Sequence, residues 1–368
     1  MESEAKWKLA VILALRERQS EIAEYGQRPH REESDSMRVL VTGGAGYIGS
    51  VVAGQLQDAG HQVTVIDNLS RGYAEAVPKG VELIVADLAD KENLAAVFRL
   101  RSFEAVLHFA AFIEAGESMK VPERFFRNNT ANALTVLEVM LAAGVKRFVF
   151  SSTAALYGNP VRTPIQEEDA LQPTNAYGES KLLVERMLEW FHRVHGVRYA
   201  SLRYFNAAGA AAPDRGEAHQ PETHLVPRLM NVALGRQTHI EIFGADYPTA
   251  DGTCVRDYIH VSDLAEAHLL ALEALNGCGK LIYNLGNGQG FTVRQVIEGV
   301  RRVTGREIPV VESPRREGDP AVLIASSDKI RRELNWQPKF ADLDAILKSA
   351  WTWHRNFPDG YGGNRQAS

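Results

Sequence analysis

The chain has 368 residues, 45% of them hydrophobic and 24% charged, enough for one large α/β core or two domains. Its 41 Lys and Arg against 46 Asp and Glu leave a formal charge of −5, which argues against a general nucleic-acid binder or a basic membrane-surface protein. Its two cysteines, Cys254 and Cys278, exclude a disulfide framework and a four-cysteine zinc site and fit a reducing cytoplasm.

Residues 1–36 read as an N-terminal extension, either flexible or a short helix around Trp7, Val11 and Leu15. The apolar run at residues 9–15 is far short of the roughly 18 residues of a membrane helix, and no small-residue cleavage site follows it, so neither a membrane span nor a secretory signal is expected. At Met37 the texture changes abruptly. Short apolar runs at residues 38–42, 62–67, 81–86, 105–109, 147–151 and 200–203 alternate with longer helical patterns, several stopped by glycine at Gly60, Gly144 and Gly196. Continuous runs such as Val39-Leu40-Val41 suit buried parallel strands. The alternation predicts an α/β, Rossmann-type doubly wound parallel sheet over residues 37–206.

Thr42-Gly43-Gly44-Ala45-Gly46-Tyr47-Ile48-Gly49 closes the first strand and opens a helix. Gly43 permits the tight turn, Gly46 the close approach of backbone to a pyrophosphate, and Gly49 close helix–sheet packing. The free N–H groups of the helix start face the phosphate charge. Asp67 ends the next strand, where a carboxylate bonds a ribose hydroxyl and repels a 2′-phosphate. NAD is therefore favoured over NADP.

Further on, Ser151-Ser152-Thr153 ends the fifth strand, where open α/β sheets place ligand contacts. Tyr177 and Lys181 stand four apart at a predicted helix start and share a face. An ammonium beside a phenol favours the phenolate, a base for a hydroxyl proton as hydride leaves the same carbon, and Thr153 offers a hydroxyl to the reacting oxygen. Residues 207–368 read as a smaller mixed α/β substrate-binding region: an irregular crossing at 207–221, a turn-rich stretch at 246–253, a helix at 262–275 with Ser262 as N-cap, and another at 293–303. The eleven histidines show no metal-ligand spacing, and His192 and His195 read as surface residues, so no metal is expected.

The three-and-three glycine spacing is that of the extended short-chain dehydrogenase/reductases. From Met37 to about Gly362 the chain resembles their UDP-glucose (UDP-galactose) 4-epimerase branch. The resemblance rests on Val-Thr-Gly-Gly-Ala-Gly-Tyr-Ile-Gly-Ser, Asp67-Asn68-Leu69, His108-Phe109-Ala110-Ala111, Arg203-Tyr204-Phe205-Asn206, Phe243-Gly244-Ala245-Asp246-Tyr247, the segment around Arg256, and Arg315-Arg316-Glu317-Gly318-Asp319. It implies reversible epimerisation at carbon 4 of a UDP-hexose through a 4-keto sugar, with NAD tightly held and no net redox change. Tyr177, Lys181 and Thr153 would be catalytic. Around NAD the resemblance points to Tyr47, Ile48, Asp67, Asn68, Asp87, Leu88, Phe109, Ala110, Ala111, Asn128 and Phe205, besides the glycines and the Tyr–Lys pair. Around the UDP-sugar it points to Thr153, Asn206, His224, Leu225, Phe243, Arg256, Arg316, Asp319 and Leu323. It also implies a homodimer built through helices near 123–143 and 176–195.

Some positions depart from the pattern. Thr153 replaces a common serine, Ile113 a lysine of some members, and His224 an asparagine, while Leu323 is intermediate in bulk at a position that limits N-acetylated sugars. A 4,6-dehydratase would need an Asp-Glu pair where Ala154 and Ala155 stand. An epimerase of UDP-xylose/UDP-arabinose or UDP-N-acetylhexosamines, and a non-enzymatic NAD-binding regulator, are the alternatives. Retention of Thr153, Tyr177 and Lys181 together argues against the regulator.

Overall fold

In the computed structural model residues 36–316 and 319–362 are described; the expected extension over residues 1–35 lies outside them. Thirteen strands are found among the described residues: β1 (Arg38–Thr42), β2 (Gln62–Asp67), β3 (Glu82–Val85), β4 (Ala105–His108), β5 (Arg147–Thr153), β6 (Arg198–Tyr204), β7 (Asn206–Ala208), β8 (Ile240–Phe243), β9 (Val255–His260), β10 (Lys280–Leu285), β11 (Gly290–Thr292), β12 (Val310–Ser313) and β13 (Val322–Leu323). The main helices are α1 (Tyr47–Asp58), α2 (Lys91–Leu100), α3 (Asn132–Ala142), α4 (Ala176–His195), α5 (Leu225–Ala233), α6 (Val261–Ala274), α7 (Val293–Thr304), α8 (Asp328–Leu334) and α9 (Leu343–Asn356).

Seven strands form one parallel sheet in the order β10-β6-β5-β4-β1-β2-β3. Val39, Leu40 and Val41 are fully buried, as a strand covered by helices on both faces requires. Strand order reverses between β1 and β4, and the crevice for a ligand opens there, beyond the carboxyl ends of the strands. The six predicted strands and the glycine stops are all present. Gly196 ends α4 in the left-handed region, its N–H donating to the His192 carbonyl while the Val197 N–H donates to that of Phe191.

Two features differ from expectation. The sheet does not end at β6: β10, from the segment read as substrate-binding, pairs with it residue for residue. The helix expected from Ser262 begins one residue earlier. His260 is its cap, with an extended backbone and a ring Nδ1 that accepts from the Ser262 N–H at 3.1 Å. The imidazole took the place of the hydroxyl that propensity favours.

The remaining strands form a four-stranded sheet (β11-β9-β13, with β7 on β9) and a two-stranded one (β12-β8). Helices α5, α7 and α9 pack against them over a separate core that includes Leu229, Ile242, Val296 and Leu347. Buried Asp257 knits this part to the main sheet's edge by accepting from the N–H groups of Asn287, Gly288 and Ala325 at 2.8–3.1 Å.

Candidate active site

The phosphate cradle follows from local sterics. Gly43 sits at φ +72°, and a Cβ there would lie 2.4 Å from the Ala110 nitrogen. A Cβ on Gly49 would lie 2.3 Å from the Gly43 carbonyl oxygen, so α1 could not start against the loop. Gly46 caps α1 with no side-chain hydrogen bond, which leaves the helix-start N–H groups and the positive end of its dipole turned to the cleft. A cradle of this shape fits a dinucleotide pyrophosphate.

One cleft gathers most of the expected residues. Gly43, Gly46, Tyr47, Ile48, Gly49, Asp67, Asn68, Asp87, Leu88, Phe109, Ala110, Ala111, Asn128, Thr153, Tyr177, Lys181, Phe205, Asn206, His224 and Leu225 all line it. Asp67 Oδ2 accepts from the Ala45 N–H at 3.1 Å and Oδ1 from the Leu69 N–H at 2.9 Å, so the carboxylate is aimed at the loop edge of the cleft. Asn68 donates to Asp87 at 2.9 Å, which brings the two acids' loops together. Asp67→Ala is expected to weaken NAD about 10–100-fold, the worth of hydrogen bonds to a charged group, and to narrow the preference over NADP. Unchanged titrations with both cofactors would assign Asp67 to loop geometry alone.

At the inner end, Thr153 closes β5 and Tyr177 opens α4. Asn175 caps the helix by accepting from the Gly178 N–H at 2.8 Å, and the Tyr177 N–H donates to Ser118 Oγ at 3.0 Å. Thr153 and Tyr177 line the same cleft, and the Thr153 hydroxyl acts on the phenol as a polar neighbour that lowers its pKa. Lys181 is buried, donates to the Ser151 carbonyl at 2.9 Å and stands 4.9 Å above the Phe150 ring. Burial pushes its ammonium down to about 7.

The phenol departs from expectation. Burial raises its pKa above the usual value, the Thr153 hydroxyl pulls the other way, and the Glu114 carboxylate raises it further. Desolvation of the anion outweighs the help expected from Lys181.

Phe243, Arg256, Arg316, Asp319 and Leu323 are not among the residues lining that cleft and meet one another instead. The Arg316 guanidinium stands 3.9 Å over the Phe243 ring, and Arg256 is ion-paired to Asp319. Leu323 pairs with Arg256 in register and packs in the cluster that holds Phe205. Tyr258, on the same face of β9 as Arg256, reaches the cleft, so β9 joins the two groups.

Some lining residues were not anticipated. Tyr204 hydrogen-bonds Ser151 and lies opposite Thr153 in the β5–β6 register; its place at a strand end was the available signal. Arg71 pairs with Glu114 at 3.3 Å and donates to the Gln220 carbonyl, tying three loops across the mouth. No local pattern announces such a contact. Histidine spacing also concealed a cluster of Glu217, His219, Glu222 and His224 at the wall. His224 is thus a built-in member of the cleft rather than a solvated loop residue.

A doubly wound sheet, a glycine cradle with an acid one strand later, and a Thr–Tyr–Lys set at the strand ends define a dinucleotide-dependent oxidoreductase-type site. Residues 39–286 match the model of the NAD dependent epimerase/dehydratase family, and the chain belongs to that family. It is 52% identical over 329 residues to a UDP-glucose 4-epimerase of Streptomyces lividans, covering 89% of this chain and 98% of that protein. The structure resembles UDP-glucose 4-epimerase from Brucella ovis in complex with NAD, with a TM-score of 0.83, 43% identity, and 86% of this chain and 98% of that one covered. It also resembles the enzyme from Bifidobacterium longum in complex with NAD+ and UDP, with a TM-score of 0.85, 35% identity, and 88% and 99% covered.

Proposed function

We propose that the protein interconverts UDP-glucose and UDP-galactose by epimerisation at carbon 4, with NAD as resident cofactor. The observation that carries this reading is the gathering of Thr153, Tyr177 and Lys181, the last one helical turn beyond Tyr177, in the same cleft as the glycine cradle. NAD, held by the start of α1 and by Asp67, would supply the reversible hydride acceptor for carbon 4. Tyr177 takes the 4-hydroxyl proton and gives it back, and Thr153 holds the same oxygen. Lys181 supplies the charge that favours the phenolate once the cleft is filled. Asp67 holds the adenosine ribose, and the start of α1 holds the pyrophosphate.

The sugar nucleotide's diphosphate belongs to Arg256 and Arg316. Burial depresses the Arg316 guanidinium, a cation short of water for which an anionic ligand compensates. Asp319 serves the uridine ribose, and Leu225, Phe243 and Asn206 complete the pocket. Residues 37–206 form the NAD-binding part and residues 207–368 the nucleotide-sugar part, with β10 returned to the first part's sheet.

Trp190 and Val194 are 63% and 65% exposed on the outer face of α4, which supports a homodimer through that helix. No helix among the described residues is long and apolar enough to cross a membrane, and Cys254 and Cys278 form no disulfide with each other; we place the protein in the cytoplasm. Purified protein given UDP-galactose without added NAD is expected to form UDP-glucose. Turnover of UDP-xylose or UDP-N-acetylgalactosamine alone would move the assignment to those sugars.

A further inference from the structure

We propose that Glu217, His219, Glu222 and His224 form a binding site for one divalent transition-metal ion of the zinc class, set in the wall of the cleft beside the phosphate cradle. The four residues follow a Glu-x-His-x-x-Glu-x-His pattern. Each offers one ligand atom, and all these atoms lie within 4.8 Å of one another. His219 Nδ1 is 3.2 Å from Glu217 and 3.7 Å from Glu222, and His224 Nδ1 is 2.7 Å from Glu217 and 3.6 Å from Glu222. A tetrahedral ion with bonds of ~2.0–2.1 Å has ligand–ligand edges of about 3.3 Å. The observed separations bracket that edge, so small side-chain adjustments close the site.

A second observation points to a ligand. His219 Nδ1 is shielded from solvent and has no hydrogen-bond partner, although it faces two carboxylates. The four groups also reach neutrality by protonating both imidazoles, which the Glu217 and Glu222 carboxylates favour, but that leaves two cationic rings with centroids 5.1 Å apart. One divalent ion, two neutral imidazoles and two carboxylates are equally neutral, and each of the four ligand atoms then has the cation as its partner. Imidazole and carboxylate together suit zinc, cobalt or nickel rather than calcium or magnesium.

The scaffold holds the donors in place. Glu217 is 3% exposed and its carbonyl accepts from Trp353 Nε1 at 3.0 Å. The His224 N–H folds Glu222 back by donating to it at 2.8 Å. All four positions are protein ligands, so the ion has no open coordination position and acts structurally. Its role follows from its neighbours. The His219 ring meets Tyr47, the first residue of α1, edge-on at 6.2 Å. An ion here pins the 217–224 segment against the helix that holds the pyrophosphate.

The test uses the full-length, NAD-loaded protein, dialysed against chelator and then titrated calorimetrically with ZnCl2 and, separately, followed by visible absorption with CoCl2. The proposal expects one equivalent per chain and the intense absorption of tetrahedral cobalt. It expects His219→Ala and the near-isosteric Glu222→Gln each to weaken binding more than about 100-fold, beyond the loss typical of an outer-shell change. Unaltered NAD content in Glu222→Gln certifies its fold. Absence of saturable one-equivalent binding, a pale octahedral cobalt spectrum, or unchanged affinity in folded Glu222→Gln would overturn the site.

Discussion

Tyr177→Phe is expected to lower kcat about 10²–10⁴-fold while the protein still carries its full NAD content, the loss typical of removing a positioned proton-transfer group. The ring survives the substitution, so packing at the start of α4 is kept; only the hydroxyl turned to the cleft with Thr153 disappears. The proton of the 4-hydroxyl then has no acceptor, because Lys181 is bonded to the Ser151 carbonyl and Thr153 is too weak a base. Single-turnover rates and cofactor content measured on the same sample check this. Turnover within threefold of the parent would remove Tyr177 from the chemistry.

The second large effect falls on stability. Glu185 lies two turns along α4 from Tyr177 and one from Lys181. It accepts from Ser152 Oγ at 2.6 Å and forms a two-pronged pair with Arg203, at 3.0 and 2.6 Å. Arg203 also donates to Tyr157 at 2.9 Å and to the Glu167 carbonyl at 3.0 Å, and Tyr157 donates to Asn284 at 2.7 Å. Glu185 and Arg203 are 7% and 3% exposed. The network clamps α4 to β5, β6 and β10, and so fixes how Tyr177 meets Thr153. Glu185→Ala strands a buried guanidinium and is expected to cost about 3–5 kcal/mol, whereas Glu185→Leu combined with Arg203→Met should recover most of it. Urea unfolding of both variants decides. A loss below about 1 kcal/mol in the single variant would mean that water or another acid compensates the arginine.

What could be read from the chain was what depends on neighbours in sequence. The glycine loop, the acid at Asp67 and the Tyr177–Lys181 pair each lie within one turn or one strand end, where local sterics and helix periodicity dictate the outcome. Helix stops at Gly60, Gly144 and Gly196 were equally local. Long-range pairings stayed hidden. The return of residues 280–285 to the main sheet depends on a partner strand some 80 residues earlier. The His260 cap escaped because propensity favours a hydroxyl. The direction of the Tyr177 shift was missed because sequence shows the lysine but not the burial that opposes it. The Glu217–His224 cluster hid in plain sight: its two ligand types alternate along one loop, and only the fold turns the four residues toward a common point.

That hydride leaves carbon 4 and returns to the same carbon within one cleft follows from the proposed chemistry. It is tested most directly by proton and deuterium NMR of the purified protein with UDP-galactose deuterated at carbon 4 and no added NAD. Formation of UDP-glucose with the deuterium still on carbon 4 is the expected result. Loss of the label to solvent, or no UDP-glucose even after NAD is supplied, would contradict it.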